Sequence, residues 1–477
     1  MRQFVGRQRE LKRLAPYKRR SNAASLIVLR GRRRIGKSRL IAEFAKNMTF
    51  LKFSGLPPSE KPTAQMQRTH FADTLVRLGL SRPSDDDWYN LFLHLAQNLP
   101  SKPTVLLLDE ISWMAKDDPS FLPKLKDVWD DHFKAHPNLV FVLCGSVSSW
   151  IDKNILSNTG FYGRINETVT LKELSLSESL ALLKTQGFQG SALEKMLVLS
   201  VTGGVPWYLE QFTRGNTAEG HVRRLCFSED GLFVSEFDRI FNDLFSHRAA
   251  IYKKIVLQLA NGSKEYKTIS EMAGYESSGT LSEYLNDLEV AGFITKDKTW
   301  SLKTGLTKKI VVYRLSDNYL RFYLKCIQPH LNKIERGHFD DVAITSIKGF
   351  ATLQGLQFEN IVLNNRALII EALGVNRQNI LADNPYFQRG GKTQTGCQID
   401  YMIQTEFNTL FVCEMKYSNN TIGTKVIKEI QEKCNALKKP KNLACLPVLI
   451  TFGTLADAVL ESAVFYKIID FKSFFEG

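Results

Sequence analysis

Hydrophobic positions in this chain of 477 residues change texture along its length. In the first third they form short unbroken runs, Leu26-Ile27-Val28-Leu29, Val105-Leu106-Leu107-Leu108 and Leu139-Val140-Phe141-Val142-Leu143-Cys144. Runs this short, with no polar alternation, predict strands covered on both faces of a parallel sheet. Residues 248–260 instead carry helical spacing and stop at Asn261-Gly262, a pair that ends helices. A short helix and turn follow at 268–274, then a longer helix at 278–291 with Leu281, Tyr284, Leu285, Leu288 and Val290 inward. Residues 292–296 and 310–315 pair as a hairpin, and three helices followed by a hairpin make the winged-helix pattern. Near the carboxyl end, residues 399–403 and 409–416 read as two strands, with one helix before them around 355–359 and another after them carrying Lys425, Lys428 and Gln431. No apolar stretch approaches the ~18 to 20 residues that cross a bilayer. The first residues also lack the apolar core of a signal peptide.

The first run leads directly into Gly31-Arg32-Arg33-Arg34-Ile35-Gly36-Lys37-Ser38, a complete G-x-x-x-x-G-K-S phosphate-binding loop. A buried strand that turns through glycines into a helix aims backbone N–H groups and the positive helix end at phosphates. Gly31, Gly36, Lys37, Ser38 and the next residue, Arg39, form the candidate cradle; Lys37 would reach the β- and γ-phosphates of ATP, and Ser38 would hold Mg²⁺. The second run ends in Asp109-Glu110. Asp109 would act on Mg²⁺ from the opposite side and Glu110 would activate the attacking water. The third run ends in Gly145-Ser146, where Ser146 either senses the γ-phosphate or caps the next helix. Arg164, in Gly160-Phe161-Tyr162-Gly163-Arg164, sits in a glycine-flanked turn from which a guanidinium reaches phosphate oxygens in cis or across a subunit boundary.

Together with Phe4-Val5-Gly6-Arg7-Gln8-Arg9-Glu10-Leu11 and Gly203-Gly204-Val205-Pro206-Trp207-Tyr208-Leu209, these motifs make the first half of the chain resemble the archaeal-type ATPase family. That family is related to AAA+ and signal-transduction ATPases. The resemblance implies that Gly6 and Arg7 lie near the adenine end, that Asp109 and Glu110 are the acid pair of the second nucleotide motif, and that Pro206 packs near the base in a helical lid.

A second chemistry is spelled by Asp400, Glu414 and Lys416, a D-(x13)-E-x-K pattern across two adjacent strands. Period-two geometry puts Glu414 and Lys416 on one face, where Asp400 can meet them. Two carboxylates bind Mg²⁺ and lower the pKa of its water, while the lysine steadies developing charge. Glu359 on the preceding helix would complete the metal cup. This arrangement resembles the PD-(D/E)XK nuclease superfamily, with Gln398-Ile399 standing where a proline would precede the acid. The alternative is a domain retained as a binding platform without cleavage.

Charge is uneven. Against a net +14, residues 1–40 hold fourteen Lys or Arg and one acid, and residues 246–325 hold thirteen against eight. Such faces suit nucleic acid or an acidic partner. Candidate contacts in the winged-helix segment are Ser277, Ser278, Thr280, Ser282 and Glu283 on its third helix and Lys296, Lys298, Lys303, Lys308 and Lys309 near the hairpin. Apart from Asn286, that helix lacks the Arg, Asn and Gln that read bases. Seven cysteines without a C-x-x-C pair fit reduced thiols in a cytoplasm. His132 and His136, a turn apart, lack the third ligand that zinc needs.

The expected fold class is α/β: a P-loop core at 1–175, a helical lid at 176–245, a winged helix at 246–325, a linker at 326–345 and a restriction-endonuclease-like domain at 346–477. The expected function is ATP-dependent control of a Mg²⁺-dependent nuclease acting on DNA, in genome defence or DNA processing, with a homo-oligomer or protein partner allowed. The alternative is a non-cleaving nucleotide switch.

Overall fold

Each of the three apolar runs is a strand of one parallel sheet. The computed structural model describes residues 3–19, 22–58, 61–146, 148–245, 248–274, 279–339, 342–391 and 394–476, with only the backbone of Ser148. Helix α1 (Gln8–Leu14) precedes β1 (Ser25–Arg30), and α2 (Lys37–Phe44) follows it. Next come β2 (Thr49–Ser54), α3 (Ala64–Arg77), α4 (Trp88–Gln97), β3 (Thr104–Asp109), α5 (Phe121–Asp131), β4 (Leu139–Gly145) and β5 (Ile165–Thr170).

These strands pair in the order β2-β3-β4-β1-β5, so β4 lies between the phosphate-loop strand and the acid strand. Alternation divides them between two cores. Leu26, Val28, Leu106, Leu108, Phe141 and Leu143 pack with the aromatics of α3, α4 and α5, while Ile27, Leu29, Val105, Leu107, Val140 and Val142 pack with Leu40, Ile41 and Phe44 of α2. Both faces are dry, which is why the runs show no polar period. Helix α5 ends at Asp131, so His132 and His136 flank a short 3-10 turn and do not share a helical face.

A helical segment follows: α6 (Leu176–Thr185), α7 (Ala192–Thr202), α8 (Ala218–Cys226) and α9 (Glu236–Phe245). Helices α6 and α7 each start with a reciprocal capping box, Ser175 with Glu178 and Ser191 with Glu194. Then come α10 (Ala249–Leu259), β6 (Lys264–Glu265), α11 (Tyr266–Ala273), α12 (Gly279–Val290) and the hairpin of β7 (Ile294–Trp300) and β8 (Thr307–Leu315), forming a three-stranded sheet β6-β8-β7. Leu281, Tyr284, Leu285 and Leu288 are buried as their spacing predicts; Ser277 and Ser278 lie outside the described residues. The hairpin is longer than the alternation suggested, and its tip does not project freely. Trp300 Nε1 donates to Gln404 Oε1 at 2.6 Å, Gln404 Nε2 donates to Leu302 O at 3.1 Å, and Trp300 meets Tyr386 edge-on.

After α13 (Asn318–Phe322), α14 (Phe350–Asn364) and α15 (Arg366–Ala372), a second five-stranded sheet has the order β13-β12-β11-β10-β9. Strands β9 (Ile380–Gln388), β10 (Cys397–Thr405) and β11 (Thr409–Tyr417) are antiparallel, while β11, β12 (Ala444–Phe452) and β13 (Lys467–Asp470) are parallel. Helix α16 (Lys425–Ala436) crosses between β11 and β12. Tyr401, Cys413, Met415, Val448 and Ile450 face α14, in one core continuous with the helical segment. Met402, Val412 and Leu410 face Ile430 of α16. Among the described residues no helix is long and apolar enough to cross a membrane.

Candidate functional site

The amino-terminal candidate site gathers at the carboxyl ends of β1, β3 and β4. Gly36 caps α2 at φ 88°, a left-handed conformation that glycine adopts without strain. Lys37, 6% exposed, donates through Nζ to Gly31 O (2.9 Å) and Arg32 O (3.1 Å) and stands 3.9 Å from Glu110 Oε1. Ser38 Oγ lies 2.6 Å from Asp109 Oδ2. Asp109 also meets Lys52 Nζ at 2.8 Å. Burial raises the Asp109 carboxyl, but Lys52 and Ser38 outweigh it and the net shift is downward, so it stays ionised. Glu110 is held in left-handed backbone at φ 56°. Its Oε2 accepts from the Ser146 N–H at 2.9 Å and the Ser146 hydroxyl at 2.7 Å. An ammonium, a hydroxyl and two carboxylates thus converge where a nucleotide's phosphates and Mg²⁺ would need them, and the donor set fits that ligand.

The flanking residues bind this site to other elements. Gly6 lies against Glu178, where a Cβ would stand 2.8 Å from Oε1, and the Arg7 N–H donates to the same oxygen at 2.7 Å. Arg7 Nη2 reaches Ile35 O of the loop at 3.1 Å, and burial lowers its pKa. Pro206 starts a short helix beside Gly36, so it closes over the loop itself. Arg39 pairs with Glu210 and donates to Gln3 O at 2.9 Å.

Arg164 is a correction in part. It precedes β5, whose Ile165 pairs with Leu26 at the amino end of β1, whereas the phosphate loop leaves the other end. Its guanidinium donates twice to Asp130 at 2.7 Å. Within one chain it lies a strand's length from the loop, which removes the role in cis.

Residues the motifs did not single out make the tightest connections. Arg32, Arg33 and Arg34, the variable positions of the loop, each meet an acid from elsewhere. Arg32 pairs with Asp317 and with Glu173 (3.1 Å), Arg33 with Asp243, and Arg34 with Glu236 (3.0 Å) under the ring of Trp207. Glu236 and Asp317 are 1% exposed. The signal was present in α9, where positions 236 and 243, seven apart, share a face.

In the carboxyl-terminal sheet, Tyr401 pairs with Cys413, which sets Asp400 directly across from Glu414 on the face covered by α16. Lys416 shares that face, and its Nζ meets Glu414 Oε1 at 2.9 Å and Glu429 Oε2 at 2.9 Å. Lys433, on α16, meets Glu414 Oε2 at 2.5 Å and Asp400 Oδ1 at 3.5 Å. Asp400 Oδ2 accepts from the Met415 N–H at 2.9 Å. Burial, then the charge of Glu414, pushes Asp400 up to about 6. Burial and the charge of Asp400 push Glu359 up to about 7.

The expected three-carboxylate cup is not assembled. Glu359 sits on α14, which packs on the face bearing Tyr401 and Cys413, with its carboxyl near enough to Asp400 to feel that charge but not gathered with both acids. Among the described residues no three His, Cys, Asp or Glu side chains group closely enough to hold a metal ion. Both oxygens of Glu414 are engaged by ammonium groups, so these residues would fit a bound Mg²⁺ only with Lys433 displaced. Lys433 was missed, although Val426, Ile430 and Lys433 follow helical spacing on the inward face of α16.

Comparison with known proteins bears on the amino-terminal site. A protein of Methanocaldococcus jannaschii that is itself uncharacterized is 25% identical over 378 residues, 78% of this chain and 79% of its own. Among solved structures, a Walker-type ATPase of Pyrococcus abyssi aligns with TM-score 0.48 and 17% identity, over 67% of this chain and 96% of that one. The ORC2 protein of Aeropyrum pernix, in complexes with ADPNP and ADP, aligns with TM-score 0.42 and 14% identity, over 70% and 96%. Residues 4–212, which contain the phosphate loop, the acid pair and Ser146, match the family described as an ATPase domain predominantly from Archaea.

Proposed function

We propose that this chain binds and hydrolyses ATP and uses that cycle to control a Mg²⁺-dependent nucleic-acid-cleaving domain at 346–477. Residues 176–245 serve as lid, 246–325 as a winged helix, and 326–345 as the connection; DNA is the substrate expected from the basic faces. The observation that carries this reading is a run of buried contacts between the phosphate loop and α14. Arg32 pairs with Asp317, whose neighbour Asn318 accepts from Asn360 Nδ2 at 3.0 Å through its side chain and from Gln357 Nε2 at 2.8 Å through its carbonyl. Gln357 and Asn360 flank Glu359 on α14. A change of loop position therefore has a packed, hydrogen-bonded route to the second sheet.

When bound, ATP with Mg²⁺ supplies a scissile γ-phosphoryl group. Lys37 would neutralise charge on the β- and γ-phosphates, and Ser38 and Asp109 would present oxygens to the metal. Glu110, once released from Ser146, would orient and deprotonate the attacking water, leaving Ser146 to sense the γ-phosphate. Gly6 and Arg7 would border the base, and Arg39 and Pro206 would tie the lid to the loop. Arg164 retains a role only across a subunit boundary, in a homo-oligomer.

A second reading, a nucleotide switch that binds nucleic acid without cutting it, is favoured by one observation: Lys416 and Lys433 already satisfy Glu414. Incubating the full chain with Mg²⁺ or Mn²⁺, with and without ATP, on single-stranded, duplex and branched DNA separates the two. Cleavage lost in Lys416→Ala supports the enzyme, while binding without cleavage in every condition supports the switch.

A further inference from the structure

We propose that Lys433, on α16, is a built-in counter-ion that stands in the cation position between Asp400 and Glu414. The inference rests on the reading of these acids as a metal site but is tested separately from cleavage.

Three observations lead to it. First, the Lys433 ammonium spans both carboxylates, at 2.5 Å from Glu414 and 3.5 Å from Asp400, as a bridging cation would. Second, the same helix supplies Glu429, which holds Lys416 at 2.9 Å, so α16 engages the site through both a cation and an anion. Third, α16 covers the site as the crossover from β11 to β12, with Val426 and Ile430 buried and Ile427 and Cys434 packed against the same cores.

Two facing carboxylates with no counter-charge repel one another, and burial magnifies the repulsion. Lys433 offsets part of that repulsion and, by the same contact, keeps a divalent cation out. Removing Lys433 leaves a pair of acids whose remaining partners are Lys416, on Glu414, and the Met415 N–H, on Asp400. The ammonium and a metal ion compete for one place, so metal affinity is set by the presence of Lys433.

Isothermal titration of the full chain with Mn²⁺ alone, without nucleotide, tests this. Lys433→Met is expected to bind Mn²⁺ at least tenfold more tightly than the unaltered chain, with the gain abolished by adding Asp400→Asn. Lys433→Gln, which keeps a hydrogen-bond donor for Glu414 without the charge, gives the same comparison if Lys433→Met does not fold. Mn²⁺ should also raise the melting temperature of the Lys433 variant and not that of Lys433→Met/Asp400→Asn. Equal Mn²⁺ affinity with and without Lys433, whether both weak or both tight, overturns the proposal. A variant that gains Mn²⁺ and still cuts no DNA leaves the counter-ion in place and removes the nuclease.

Discussion

Glu110 and Ser146 are joined by two hydrogen bonds to one carboxylate oxygen, 2.9 Å from the backbone N–H and 2.7 Å from the hydroxyl of Ser146. They sit at the tips of β3 and β4, adjacent strands in the sheet. In this position the Glu110 carboxylate is turned toward Ser146 and held by it.

ATP turnover should therefore depend on Glu110 without ATP binding doing so. Glu110→Gln is expected to bind ATP and to hydrolyse it roughly a hundredfold more slowly, the range for loss of a general base. Lys37→Ala removes the charge facing the phosphates and should lose binding and turnover together. Fluorescent-nucleotide binding and phosphate release measure the two. Unchanged turnover in both variants contradicts the assignment.

The pair Arg32–Asp317 is 5% and 1% exposed and joins the phosphate loop to the start of α13. Asp317 also caps that helix through Leu320 N at 2.8 Å. Removing one partner of such a pair typically costs about 3 to 5 kcal/mol, because the other charge is left buried. Asp317→Ala should fall in that range by chemical denaturation, and Arg32→Met/Asp317→Leu should recover part of it, since the helix cap and the Arg32–Glu173 pair are lost as well. Additive losses in the double variant would show that the pairing itself is unimportant.

Much of the first site was legible because its chemistry is local in sequence: the loop Gly31–Ser38, the acids ending β3 and the hydroxyl after β4 each follow an apolar run. The anchoring of the loop arginines was not, since Arg32 finds Asp317 across nearly three hundred residues and only tertiary packing brings them together. In the second sheet, period two correctly set Asp400, Glu414 and Lys416 on one face. Glu359 lies on a helix, where strand parity says nothing, and its approach to Asp400 comes from tertiary packing alone. The hairpin's Trp300 was also readable only as apolar; its burial against Tyr386 and Gln404 turns a hairpin tip into a docking contact.

That docking leaves Lys298, Lys303, Lys308 and Lys309 exposed, while Lys296 pairs with Glu289 at 2.7 Å. If the exposed four contact DNA phosphates, each should add roughly 0.9 to the slope of log affinity against log salt. A four-alanine variant is expected to lower that slope by about 3 to 4 in filter or anisotropy titrations on duplex DNA. An unchanged slope would assign the hairpin to domain docking alone.

Asp400 gives a pH signature. Its folded pKa, pushed up to about 6, lies above the ordinary carboxylate value of 3.8, so the folded chain holds a proton that the unfolded chain has released. This group's contribution to stability is therefore favourable at low pH, declines as pH rises from about 4 to about 6, and stays unfavourable above. Asp400→Asn should stabilise the chain at pH 8 by on the order of 1 to 2 kcal/mol, and by much less at pH 4. Equal effects at both values would mean that Asp400 is not strained.

The central claim is that the nucleotide state of the phosphate loop governs the carboxyl-terminal site. It is tested most directly by measuring Mn²⁺-dependent cleavage of branched and single-stranded DNA by the full chain with and without ATP, beside Lys37→Ala and Lys416→Ala. The account predicts cleavage that changes at least tenfold on adding ATP, no response to ATP in Lys37→Ala, and no cleavage at all in Lys416→Ala. Cleavage that is indifferent to ATP, or that persists in Lys416→Ala, would contradict it.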